Sequence, residues 1–123
     1  MLVVEIKTNK LISPALDYAV AKCEGYEYNA KSGLLYKFAE PHFRKLYSTD
    51  WSQSGPIIER ELIRVIAPTV RGVDWIARIK RGSHSSMNGW FEETGPTPLI
   101  AAMRCYVASK LGGTVQIPRE LAP

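Results

Sequence analysis

Two histidines and two cysteines are all the chain offers toward metal or disulfide chemistry. A tetrahedral zinc site needs three or four such ligands at short spacing. His42, His84, Cys23 and Cys105 stand far apart in sequence, so no metal centre is expected. Cys23 and Cys105 both fall in segments with helical patterning and read as small core residues rather than a disulfide pair. No apolar run reaches the ~18 residues that a membrane-spanning helix requires, so no membrane partner is expected. The opening Met1-Leu2-Val3-Val4-Glu5-Ile6-Lys7 lacks the basic start and the longer apolar stretch of a secretion signal. A cytoplasmic location follows as an expectation. Neither a GxxxxGK[S/T] loop nor GxGxxG occurs, and no cofactor is expected. No nucleophile–base pair can be read either, which ranks catalysis last among the candidate functions.

What is present suits one domain spanning residues 1–123, with 46% hydrophobic and 23% charged residues. A chain of this size buries a core without staples. The net charge is +4, and the basic excess gathers in Arg71, Arg78, Lys80 and Arg81 and in His42, Arg44 and Lys45. Cations grouped on one face can hold phosphates. On strand edges they discourage edge-to-edge pairing, and that reading is preferred, so nucleic acid is not the expected partner.

Leu2, Val4 and Ile6 alternate with polar or outward positions and predict a first strand. Ser13-Pro14 is a helix start, and Leu16, Ala19, Val20 and Cys23 fall at i, i+3, i+4 and i+7 before Gly25. That spacing predicts a helix over 14–24. Tyr26-Glu27-Tyr28-Asn29 and Leu34-Leu35-Tyr36-Lys37-Phe38 predict short strands around Lys31-Ser32-Gly33. Residues 40–56 read as a long irregular segment, 57–67 and 73–80 as two strands, and 82–94 as a loop rich in Ser, Gly and Asn. In the second of those strands Trp75, Ala77 and Ile79 share a face. A second helix opens on Thr97-Pro98 and stops at Gly112, and Val115-Gln116-Ile117 forms a last strand. The expected fold is α+β, a mostly antiparallel sheet with two main helices packed on one face.

Chemistry has three candidate places. In the first, Asp50, Trp51, Ser52, Gln53, Gly55, Pro56, Glu59 and Arg60 crowd donors and acceptors around one aromatic. Such a loop folds around a ligand with Trp51 stacking, or it is a polar surface loop with Trp51 tucked into the core. Glu59 and Glu61 would share a strand face, though an acid–base pair there has little support. In the second place, the start of the helix at Thr97 attracts anions through its free N–H groups and partial positive charge. Arg104 lies about two turns further in, where its alternative role is a salt bridge or a hydrogen bond to sheet carbonyls. In the third place, His84 stands among serines without a readable acid, and Trp90-Phe91 offers an exposed aromatic contact.

Three segments in this order also carry a resemblance: residues 16–25, residues 47–61, and residues 95–112. Together they resemble the NinX-like family of small proteins encoded by tailed phages and prophages. The quoted residues cover about a third of the chain, and their spacing covers nearly all of it. Relatives tend to have Gly-Gly where this chain has Ser54-Gly55, and tryptophan where it has Tyr18. Residues 68–94 lie outside the resemblance. It implies a phage accessory protein working in the host cytoplasm and brings no established activity with it. The shared motif contains Asp50, Trp51, Gln53, Gly55, Pro56, Glu59, Arg60, Thr97 and Arg104, more polarity than a motif made only for folding would hold. The expectation is therefore a non-enzymatic binder of a small anionic, nucleotide-like ligand, sequestering a host defence signal. The residues expected to hold that ligand are Asp50, Trp51, Ser52, Gln53, Gly55, Pro56, Glu59, Arg60, Thr97 and Arg104. The alternative is an interaction module that inhibits or redirects a host protein. Assembly as a homo-oligomer is left open.

Overall fold

Alternation at the start of the chain produces β1 (Val3–Lys7), with Val4 and Ile6 turned inward. In the computed structural model, which describes residues 2–36, 45–81 and 89–123, β1 pairs antiparallel with β7 (Thr114–Pro118). Val4 faces Ile117 and Ile6 faces Val115. A 3-10 turn at Thr8–Lys10 follows. The buried Thr8 hydroxyl donates to the Gly112 carbonyl at 2.6 Å, and the Thr8 amide donates to Gly113 at 2.9 Å.

The first helix, α1 (Ser13–Cys23), buries Ala15, Asp17, Tyr18 and Ala21 as well as the expected stripe of Leu16, Ala19 and Val20. It is enclosed around most of its circumference. Ser13 is not the cap: it stands inside the helix with φ +49°, and the cap position falls on Ile12. β2 (Glu27–Asn29) and β3 (Leu34–Tyr36) form the expected hairpin. Asn29 Oδ1 accepts the amides of Lys31 and Ser32, and Gly33 takes φ +70° to close the turn.

The largest departure from expectation is α2 (Trp51–Arg60), a third helix where an irregular segment and a strand were predicted. Gly55-Pro56 reads as a turn and Ile57-Ile58 as a strand, yet Asp50 caps the helix by accepting the Ser52 amide at 2.9 Å. Pro56 sits inside it and denies the Ser52 carbonyl its i→i−4 partner. Ser52 is exposed, so water can take that partner's place. Ser54 and Ile57, three apart, form the buried face. The chain leaves through Leu62 at φ +53°, and only Arg64–Ile66 of the predicted second half is a strand, β4.

β5 (Trp75–Lys80) joins β4 on one side and β6 (Trp90–Gly95) on the other, both antiparallel. β6 corrects the expected 82–94 loop: Trp90 and Phe91 lie in a strand and are half-buried, not an exposed tip. Residues 82–88, with His84, lie outside the described residues, as do His42 and Arg44. The second predicted helix is α3 (Pro98–Leu111), capped by Thr97 and closed by Gly112 at φ +90°. It buries Leu99 and every residue from Ala101 to Val107 against β5, β6 and α1. Gly95 ends β6 directly under the first turn of α3. A Cβ there would lie 2.7 Å from the Ala101 amide nitrogen and 2.9 Å from Ile100 Cγ2. The class is α+β with every strand pairing antiparallel among the described residues, divided into three sheets rather than one.

Candidate functional site

The start of α1, the β2–β3 hairpin, the turn at residues 45–49 and Leu121 enclose a cavity of about 410 Å³, within the size range of small-molecule sites. Tyr18 and Tyr28 line it, with ring centroids 5.7 Å apart and planes perpendicular. The Tyr28 hydroxyl donates to Glu120 at 2.7 Å. Burial and that bond push the Tyr28 phenol up to about 12. Lys45 supplies a cation at the cavity wall. Its Nζ donates to the Tyr26 hydroxyl at 3.0 Å and sits 4.1 Å above the Tyr26 ring. Ser13 and Pro14 bring the positive end of the α1 dipole to the same wall. Opposite in sign is Asp17, a buried carboxylate on α1 that lines the cavity while its Oδ1 accepts the Ser48 amide at 2.8 Å.

The residues expected to form the site are spread over three places. Asp50, Ser52 and Gln53 are bonded to one another and to the 45–50 backbone. Asp50 accepts the Ser52 hydroxyl at 2.6 Å and the Gln53 amide at 3.2 Å, and Gln53 Oε1 accepts the Leu46 N–H at 3.0 Å. Those hydrogen bonds to the carboxylate hold the Asp50 pKa below the usual carboxylate value, the Ser52 hydroxyl contributing most. The buried Ser54 hydroxyl donates to the Tyr47 carbonyl. This network thus builds the turn that walls the cavity. Trp51 is 55% exposed on the first turn of α2, neither in the core nor over the cavity lining. Gly55 is half-buried and Pro56 and Glu59 are exposed along α2.

Arg60 stands at the other end of α2, ~15 Å from Asp50 by helical rise. It grips Glu24 with two bonds at 3.1 and 2.6 Å, reaches Glu61 at 2.8 Å, and donates to the Tyr106 hydroxyl at 3.2 Å. Tyr106 in turn donates to Glu24 at 2.5 Å. The group clasps the C-terminal parts of α1, α2 and α3 together. Burial and the Glu24 carboxylate raise the Tyr106 phenol, and Arg60 lowers Glu61. Thr97 accepts the Ile100 amide at 3.2 Å, beside a second hollow of about 550 Å³ formed by residues 67–75 and Pro96.

Arg104 is buried, 8% exposed. Its Nε donates to the Leu11 carbonyl at 2.8 Å and Nη1 to the Thr94 carbonyl at 2.9 Å, the carbonyl-bonding role weighed from sequence. Burial lowers its pKa, opposed by Glu93 and Asp74. Of the basic group on the three-stranded sheet, Arg78 pairs with Glu92 at 2.7 Å, Arg64 lies 4.5 Å over Trp90, and Arg81 4.1 Å over Phe91.

Asp17, Tyr18, Tyr28 and Lys45 were not singled out as a site from sequence. One signal was available: Ser13-Pro14 and Thr97-Pro98 are the same helix-opening device, and the structure sets the first, not the second, at the cavity holding Lys45. Among the described residues, no three or more His, Cys, Asp or Glu side chains gather where they could hold a metal ion. Among them, too, no helix is long and apolar enough to cross a membrane. A family model described as "Bacteriophage P22, NinX" matches residues 7–110, from the end of β1 to near the end of α3. No curated protein matches the chain.

Proposed function

The chain belongs to the bacteriophage P22 NinX family, and from that premise we propose that this phage accessory protein binds a small anionic, nucleotide-like ligand without transforming it, in the cytoplasm of the infected cell. The observation that carries the reading is the cavity lined by Tyr18, Tyr28 and Lys45 at the α1 N-terminus. Aromatic walls suit a base, and an ammonium beside a helix N-terminus suits a phosphate. On this reading Asp50, Ser52 and Gln53 serve binding indirectly, by fixing the turn that carries Lys45. Sequestering a nucleotide signal of host defence is a task such a site could perform without catalysis.

Isothermal titration against cyclic and linear nucleotides tests the proposal. Binding tighter than ~100 μM that is lost in Lys45→Ala supports it; a silent panel at that concentration defeats it. A host-protein contact is the second reading, favoured by the exposure of Trp51, since tryptophan is enriched in interface hot spots. It replaces Trp90-Phe91, which β6 holds half-buried, as the contact. Partner capture lost in Trp51→Ala but kept in Lys45→Ala would support that reading.

A further inference from the structure

Edge protection, the role preferred from sequence for the basic residues of the three-stranded sheet, does not fit where two of them stand. Arg78 and Lys80 lie on β5, which has β4 on one side and β6 on the other, so they guard no edge. Side chains alternate between the faces of a sheet, and directly opposed residues share a face. Ala77 and Ile79 of β5 belong to the core, and Phe91 of β6 packs against it. The other face therefore carries Arg78 and Lys80 of β5, Arg64 and Ile66 of β4, and Trp90 of β6, which stands opposite Lys80. Arg64, Ile66 and Lys80 are exposed there. Arg64 was not among the basic residues grouped from sequence, because only the strand pairing brings it to this face.

We infer that this outer face is a platform for single-stranded nucleic acid, with Trp90 as the stacking surface for a base and Arg64 and Lys80 as the cations for its phosphates. The Arg64 guanidinium crosses β5 to lie 4.5 Å over the Trp90 ring. A guanidinium is planar and stacks on an aromatic face, so it holds the place that a base would take. A cation over an exposed ring is bound more weakly than a stacked base. A base therefore displaces the guanidinium, and the freed cation meets the phosphate beside it. Arg78 is neutralised by Glu92 at 2.7 Å, so the cations offered to a strand are Arg64 and Lys80. The face is ~10 Å wide across three strands and ~20 Å long along β5, room for two or three bases. A duplex keeps its bases stacked inside and has none to lay on Trp90. An acidic peptide would meet the cations but leave the ring unused.

The test is fluorescence anisotropy with labelled oligothymidylate and oligouridylate of about twelve nucleotides, a length that one small domain can cover. Wild type should bind both more tightly than a duplex of the same length. Trp90→Leu should weaken binding by ~10-fold, the loss of one stack, and Trp90→Phe should recover most of it. Two phosphate contacts predict a fall in log K against log salt of slope about −1.4, or about sevenfold from about 50 to 200 mM, and Lys80→Ala should reduce that slope by about 0.7. Lys80 is exposed and phenylalanine keeps a ring at 90, so these two variants decide the matter even if Trp90→Leu fails to fold. Binding of either strand with this pattern supports the platform, and the tighter of the two names its source. Polyglutamate bound as tightly as the strands, with no response to Trp90, assigns the face to an acidic protein and overturns the inference. No single-strand binding at low salt, or equal binding of the duplex, overturns it as well. Strand binding lost in Lys45→Ala but kept in Lys80→Ala overturns it too, by moving the strand to the cavity.

Discussion

Replacing Arg104 with alanine should unfold the protein more easily instead of only emptying a site. The guanidinium holds the Leu11 and Thr94 carbonyls from α3, tying the segment before α1 and the end of β6 to the central helix. Leu11 is fully buried, so its carbonyl gains no water when the donor goes. An orphaned buried acceptor costs ~1–3 kcal/mol, and losing the less buried Thr94 bond adds ~1 kcal/mol. The expected total of about 3 kcal/mol is a large share of the 5–15 kcal/mol typical of a domain. With a urea slope of ~1–3 kcal/mol/M, the midpoint should fall by about 1–3 M. Arg104→Met separates the causes: it restores much of the buried stem but neither donor, so it should remain nearly as damaged as alanine. Arg104→Lys has one donor centre where the planar fork had two, and should fall between. Fluorescence-monitored urea unfolding measures all three. If Arg104→Ala melts within ~0.5 kcal/mol of wild type and loses nucleotide binding, the clamp reasoning fails and Arg104 belongs to the ligand.

Gly95→Ala should cost ~1–3 kcal/mol by overpacking. The added methyl meets the Ala101 backbone nitrogen at 2.7 Å, and a fall of several degrees in thermal midpoint would confirm it. Burial pushes the Cys23 and Cys105 thiols up to about 12. Thiolate is the reactive form, so neither should react with Ellman's reagent at pH 8 while folded, and both should in concentrated urea. Asp50 is lowered by its bonds to Ser52 and Gln53. Its contribution is therefore fully present above the ordinary aspartate range and fades as pH falls through the lowered folded value. The stability gap between wild type and Asp50→Ala should be constant from pH 8 to pH 5 and close in strong acid, as read from urea midpoints.

Elements that announce themselves by periodicity and caps were legible: α1, the β2–β3 hairpin, β5 and α3 stand within a few residues of where the pattern puts them. The α2 helix was hidden because Gly55, Pro56 and two β-branched isoleucines speak locally for turn and strand. Asp50 at its cap and the burial of Ser54 and Ile57 outweigh them, a tertiary override of local propensity. Strand β6 was obscured by its consecutive polar residues Glu92-Glu93-Thr94, a run without the period of two that marks a strand, which the edge of a sheet tolerates. The site was less legible than the fold. Motif polarity singled out Asp50, Gln53, Arg60 and Arg104, and each of them hydrogen-bonds other groups of the protein. The cavity needs α1, a hairpin and a turn from three distant stretches, and no linear spacing reveals such a convergence.

The pairing of β1 with β7 has a consequence for the order in which the molecule can be made. Thr8 and Gly112, bonded at its inner end, are 104 residues apart. β1 must therefore wait, with Val4 and Ile6 lacking the Ile117 and Val115 they face, until the chain as far as β7 has emerged. Non-local pairings of this kind slow folding more than they weaken the product, because closure entropy grows only logarithmically with loop length. The family match ends at residue 110, before β7 begins. β1, apart from Lys7, lies outside the matched residues as well, so the two strands of this pair stand at the two margins of the match. The backbone of β1 thus gains its antiparallel partner only when β7 arrives.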